Sequence, residues 1–228
     1  MNIKQHDVGR EPVPEISRLL ALGFLSGLTG ALQASNTAKL RCTLHRVMSR
    51  GTETYLQQLC PYLPKIRFNE SDAGRIFGVD EGIMGEAYKT GSIWRTKRHS
   101  TPESFNKALL AAKKANGESP LLTGEQSWLA VPFLGKSGDP VLILFAESKE
   151  FNYFSNDTVV LGIINACNGF AELLNILDAS ESGNARNYPL SKGEGVTKGR
   201  TAYIDIHENF EGHQIPTSLN FDSFNFES

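Results

Sequence analysis

The stretch VDEGIMGEAYKTGSIW, Val79 to Trp94, holds Gly82, Gly85 and Gly91 among short apolar and polar residues, and its reading decides the fold. A phosphate-cradling loop of the P-loop type needs Gly-Lys-Ser or Gly-Lys-Thr after a four-residue spacer. A dinucleotide fingerprint needs Gly-x-Gly-x-x-Gly between a strand and a helix. Neither is present. The alternative is a short helix, Ile83 to Lys89, entered at Gly82 and closed by Gly91 in a left-handed conformation before the strand Ser92-Ile93-Trp94. The two carboxylates before it, Asp80 and Glu81, complement a helix N-terminus and need no catalytic role.

Working outward, the residues after Trp94 run TPESFNKALLAAKKANG, a helix capped by Thr101, with Pro102 in its first turn and Gly117 as its stop. Two strands follow, QSWLAVPFLG and PVLILFAES, joined by Lys-Ser-Gly-Asp. The second is nearly continuous in apolar residues, as a central strand is. The last helix carries Val160, Ile163, Ile164, Cys167, Phe170, Ala171, Leu174 and Leu177 at helical spacing, with Asn156 or Asp157 as N-cap.

Upstream, KLRCTLHRVMS alternates with a period of two, which predicts a strand with one buried face. TYLQQLCPYL is a second, less regular strand able to pair with it as a hairpin. The uncharged run Leu19 to Ala38 is apolar only over about its first two-thirds, short of the ~20 residues of a membrane span. It reads as a helix of a folded domain, and membrane association through residues 19–32 is not expected. Its Gly23, Gly27 and Gly30 leave one smooth face for close approach of another helix.

With 228 residues the chain suits one sizeable domain plus appendages. Lys and Arg number 23 against 25 Asp and Glu, so no global charge draws it to nucleic acid. Cys42, Cys60 and Cys167 are an odd set without metal or redox spacing, and read as thiols of a cytoplasmic protein. The first residues lack the pattern of a secretory leader. Cys42 and His45 point to opposite faces of their strand and form no joint metal site. His207 and His213, with Glu208 and Glu211, read as a solvated cluster. No nucleophile elbow is present, so no catalytic set is expected.

The order helix, two strands, short helix, strand, helix, two strands, long helix predicts an α+β antiparallel sheet with helices at both ends. From Ile16 to Asp178 the chain resembles the GAF domain family of small-molecule sensory modules. The resemblance rests on the spacing of Gly82, Gly85 and Gly91 and on the LAVPF strand, hairpin, strand, Phe-x-x-Asp and helix order. It implies an extension at 1–12, a GAF-like domain at 13–178 with first helix 13–34 and last helix 156–178, and a flexible tail at 179–228. It further implies a pocket beside the connection after Trp94, where Arg95, Lys97, Arg98 and His99 make a cationic mouth. The implied ligand-binding residues are Trp94, Arg95, His99, Phe105 and Ser127, and the implied ligand is small and anionic.

The family's known ligand signatures do not transfer. Members that bind cyclic nucleotides carry Asn-Lys and then Phe-x-x-x-Asp-Glu, where this chain has Ser148-Lys149 and Phe154-Ser-Asn-Asp157-Thr158. Bilin attachment uses a cysteine often followed by His, but Thr, Pro and Asn follow the cysteines here. The family's free methionine sulfoxide reductases act through pocket cysteines, and Gly82 to Val131 holds none. The expectation is therefore a non-enzymatic sensor or regulatory domain, homodimeric through its first and last helices and signalling to a separate effector protein. A ligand-free module for dimerisation or docking is the alternative. Tyr203, Ile204, Ile206, Phe210 and the later tail phenylalanines offer a third use, adding a strand to a sheet edge.

Overall fold

The computed structural model describes residues 7–10, 13, 15–35, 40–50, 53–64, 73–80, 82–115, 124, 126–179, 206–212, 215–216 and 224–225. Helices α1 (Glu15–Ser35) and α4 (Asp157–Ala179) lie on one side of a sheet, and α2 (Gly82–Thr90) and α3 (Pro102–Ala115) belong to the opposite layer. The strands are β1 (Asp7–Arg10), β2 (Leu40–Arg50), β3 (Glu53–Gln58), β4 (Arg75–Gly78), β5 (Trp94–Thr96), β6 (Ser127–Leu134), β7 (Pro140–Ser148), β8 (His207–Asn209) and β9 (Phe224–Asn225). Their order is β1-β4-β3-β2-β7-β6-β5-β8, antiparallel throughout, while β9 pairs in parallel with the far end of β2. The fold is thus α+β with an open antiparallel sheet flanked by helices.

Local chemistry explains the element ends. Gly82 and Gly91 sit at φ 60° and 61°, where glycine carries no Cβ penalty, and they bracket α2. A Cβ on Gly85 would lie 2.9 Å from the backbone of both Val79 and Asp80, so the helix turns back onto the preceding loop only with glycine there. Thr101 caps α3, its Oγ1 accepting the Ser104 N–H at 3.2 Å while Ser104 Oγ donates to the Thr101 carbonyl at 2.8 Å. Asn156 caps α4 through Oδ1, which accepts the Thr158 N–H at 3.0 Å.

Two apolar layers sandwich the sheet. On the α1/α4 side Leu25, Leu44, Leu129, Phe133, Ile163 and Phe170 pack together, with the Phe24 and Phe170 rings stacked at 4.3 Å. On the α2/α3 side Leu56, Phe77, Met84, Phe105, Trp128 and Phe145 form the second core. Covering both faces accounts for one departure from the sequence reading: β2 has two buried faces, Cys42 through Met48 all being buried, where alternation predicts one. The window Asp157–Asn175 is long and apolar enough to cross a membrane, but Val160, Ile163, Ile164, Cys167 and Phe170 are spent on the sheet core.

Strands β1 and β4 were not expected, and both pair at the β3 side of the sheet. Within the tail expected at 179–228, one described segment takes the sheet-edge use offered for it in the sequence reading. Its residues 207–209 form the edge strand beside β5, with Ile206 and Phe210 buried at either end. Tyr203, Ile204, Phe221 and Phe226 lie outside the described residues, as do residues 1–6 and 180–205.

Candidate functional site

The sequence-predicted site residues divide between the two faces of the sheet. Trp94 packs against the α2/α3 core, and its Nε1–H donates to Thr90 Oγ1 at 2.9 Å, tying β5 to the end of α2. Phe105, 1% exposed, belongs to the same core. His99 sets its ring edge-on to Phe105 at 5.4 Å. Its backbone is held by Asn152, whose Oδ1 accepts the His99 N–H at 3.0 Å and whose Nδ2 donates to the His99 carbonyl at 2.7 Å.

Arg95 and Ser127 point the other way. Arg95 Nη1 donates to Asp157 Oδ1 at 2.5 Å and its Nε to Glu208 Oε1 at 3.0 Å, while its guanidinium lies 4.3 Å from the centre of the Phe210 ring. Ser127 Oγ accepts the Phe154 N–H at 3.0 Å beside the N-terminus of α4. The single cationic, aromatic mouth expected from the sequence therefore does not assemble. Adjacent residues of a strand face opposite sides, so Arg95 cannot share a pocket with Trp94.

The core that Trp94 packs against is rich in aromatic rings. Phe105 meets Trp128 at 5.9 Å and Phe151 at 6.2 Å, and Trp128 meets His207 at 5.9 Å. Thr96 Oγ1 clamps Trp128 by its backbone, accepting the N–H at 2.7 Å and donating to the carbonyl at 3.3 Å. His99 Nε2 is buried without a hydrogen-bond partner among the described residues. Burial, and then Lys97, lowers the His99 pKa, so the imidazole stands neutral.

The polar feature of this face lies farther along the sheet. His45 of β2 stands directly opposite Gln58 of β3, and both side chains are fully buried. Gln58 Nε2 donates to the Cys60 carbonyl at 2.8 Å, and Thr43 Oγ1 donates to the same oxygen at 2.9 Å. Gln58 Oε1 and both imidazole nitrogens of His45 have no hydrogen-bond partner among the described residues. The His45 ring meets Phe77 edge-on at 5.5 Å. Burial, with Arg75 second, lowers the His45 pKa to about 3. A neutral imidazole offers one donor and one acceptor, and the glutamine oxygen offers acceptor capacity beside it. The pair suits a polar group that both donates and accepts, in surroundings where an unmade hydrogen bond is costly.

Sequence reasoning placed His45 on the face opposite Cys42 and left it there. Counting outward from a hairpin closed at Arg50 and Glu53 pairs it with Gln58, and that register was the available signal. His207 does not form a metal cluster with Glu208: its ring faces Trp128 while Glu208 turns to Arg95, and His213 lies outside the described residues. No group of His, Cys, Asp and Glu able to hold a metal occurs among the described residues. The three cysteines are buried thiols. Burial raises Cys60 to about 11 and raises Cys42 and Cys167 as well.

No family model matches the chain, and no curated protein does. Among solved structures it is similar to the type II free methionine-R-sulfoxide reductase from Thermoplasma acidophilum, with a TM-score of 0.42 and 13% identity, over 67% of this chain and 90% of that one. That protein is an enzyme, and on this finding the expectation of a non-enzymatic chain is withdrawn. Its reductase activity is stated of that protein alone.

Proposed function

We propose that the chain is a GAF-like regulatory domain that binds a small polar molecule on the α2/α3 face, over the floor made by His45 and Gln58. One observation carries the reading: two facing, fully buried side chains whose imidazole nitrogens and amide oxygen lack protein partners among the described residues. Leaving such groups unmet costs roughly 1–3 kcal/mol each, so an occupant that donates and accepts is favoured. With Arg95 committed to Asp157 and Glu208, an uncharged ligand suits this face better than the anionic one expected from the sequence. Occupancy would pass through the sheet to α1 and α4 and on to a separate effector protein in the cytoplasm.

The test is native mass spectrometry of the full chain purified from its own host. A stoichiometric small-molecule adduct that disappears in a His45→Phe, Gln58→Leu variant supports the reading. An adduct-free protein, with the variant as stable as wild type or more so, sinks it.

A second reading, a docking or dimerisation module without a ligand, draws on a different observation. Phe105, Trp128 and Phe151 pack ring against ring in the α2/α3 core, while Leu19 of α1 and Leu161 and Leu173 of α4 are exposed at 59%, 37% and 44%. Gly23, Gly27 and Gly30 on α1, with Gly162 and Gly169 on α4, have open space where a Cβ would stand. A homodimer through these helices would bury those faces. Sedimentation of a Leu161→Lys, Leu173→Lys variant checks it: wild-type dimer and variant monomer support it, and a monomeric wild type removes it.

A further inference from the structure

Strand β5 is three residues long and bonds to β6 along one side, so its other side is a sheet edge. Edges of this kind bind extended chains unless something covers them. The cover here is the chain's own residues 206–210. Trp94, Arg95 and Thr96 pair with Asn209, Glu208 and His207. Two further main-chain bonds extend the ladder, Lys97 N–H to the Ile206 carbonyl at 2.6 Å and Phe210 N–H to the Ile93 carbonyl at 2.8 Å.

The side chains of this segment read the edge on both faces. Ile206 enters the α2/α3 core, and His207 meets Trp128 there. On the other face Glu208 accepts from Arg95, and Phe210 lies against the same guanidinium. Main-chain bonds that supply affinity, with side-chain seats on both faces of the sheet that supply selectivity, are the pattern of recognition by strand addition.

We propose that the β5 edge is a docking surface for an extended segment of a partner protein, of the pattern apolar, polar, acidic, polar, aromatic, and that Ile206–Phe210 is a built-in competitor holding it in cis. Charge complementarity at Arg95 selects the acidic centre of that segment. Asp157 at the start of α4 is a second acceptor on the same guanidinium. The competitor is short, and a tethered segment competes at a finite effective concentration, so a partner strand with added contacts displaces it. This inference is independent of the ligand reading, because it rests on the β5 edge, which β7 and β6 separate from the β2 strand of His45.

The experiment uses the full chain and a labelled peptide of residues 202–212, read by fluorescence anisotropy. The expected result is binding at least tenfold tighter to a Glu208→Arg, Phe210→Ala variant of the chain than to wild type. A control peptide with arginine at the position of Glu208 should bind neither. Three outcomes overturn the proposal. Equal or absent binding to both chains denies a docking edge. Loss of the variant's folded circular dichroism makes the segment an integral strand and not a competitor. Wild-type dimers cross-linked between the tail of one copy and β5 of another assign the edge to tail exchange between copies.

Discussion

Trp94 and Arg95 are consecutive in β5 yet serve opposite layers: Trp94 is bonded to Thr90 at the end of α2, and Arg95 to Asp157 at the start of α4 and Glu208 of β8. A residue read from sequence as a ligand-binding cation is thereby a cross-tie between the sheet, the last helix and the tail. Arg95→Ala removes charged hydrogen bonds from a side chain that is largely buried and is expected to cost about 2 kcal/mol. Urea denaturation followed by circular dichroism reads this directly. An unchanged midpoint would make the cross-tie ornamental.

His45 and His207 set the acid side of the stability profile. Each is held neutral in the fold with its pKa lowered to about 3, by burial first and then by Arg75 and Lys97 respectively. The unfolded chain takes up these protons near pH 6.5 and the folded one does not, so the unfolded state binds more protons between those values. Stability is complete above pH 6.5 and falls as pH drops toward 3, by at most about 1.4 kcal/mol per pH unit for each histidine. Denaturation midpoints at pH 7.5 and 5.5 should differ in that direction, and His45→Phe should flatten the slope.

The glycines separate into two classes with opposite signs. Gly85→Ala forces a Cβ onto the backbone of Val79 and Asp80 and should destabilise by about 1–3 kcal/mol. Gly23→Ala and Gly27→Ala, on an exposed helix face with open space around them, should each stabilise by roughly 0.5–1 kcal/mol. Thermal melts of the single variants check both signs. A neutral Gly85→Ala would refute the close approach.

Thiol chemistry gives an independent reading of the core. Cys42, Cys60 and Cys167 are buried and their pKa values raised, so the thiolate is scarce near neutral pH. A thiol-reactive disulfide reagent should label none of them quickly in the native protein at pH 8 and all of them in urea. A single fast-reacting cysteine would reopen thiol catalysis for this fold.

How much of this was legible in the sequence varies by element. Helices α2, α3 and α4 fall within a residue or two of their predicted ends, because caps at Thr101 and Asn156 and left-handed glycines at 82 and 91 act within a turn of the chain. The hairpin β6–β7 and the central β2 were visible from apolar content. Strands β1 and β4 were not, since strands of four residues carry no periodicity long enough to register and owe their existence to a partner, while β8 follows the sheet-edge use read for the tail without its register being readable.

The sequence by itself determined where the chain must bend, cap and alternate, and hence the α+β element order. Tertiary structure alone decided which layer covers each strand face, that Arg95 is tied to Asp157 and Glu208, that β2 is buried twice over, and that residues 207–209 close the β5 edge. The physical reason is range: capping and φ preferences are settled within a few neighbouring residues, whereas strand partners and face burial depend on groups far apart in the chain. His45 and Gln58 stand at that boundary. Their hairpin register is local, but their burial, which leaves the pair with unmet hydrogen bonds, is a property of the assembled layers.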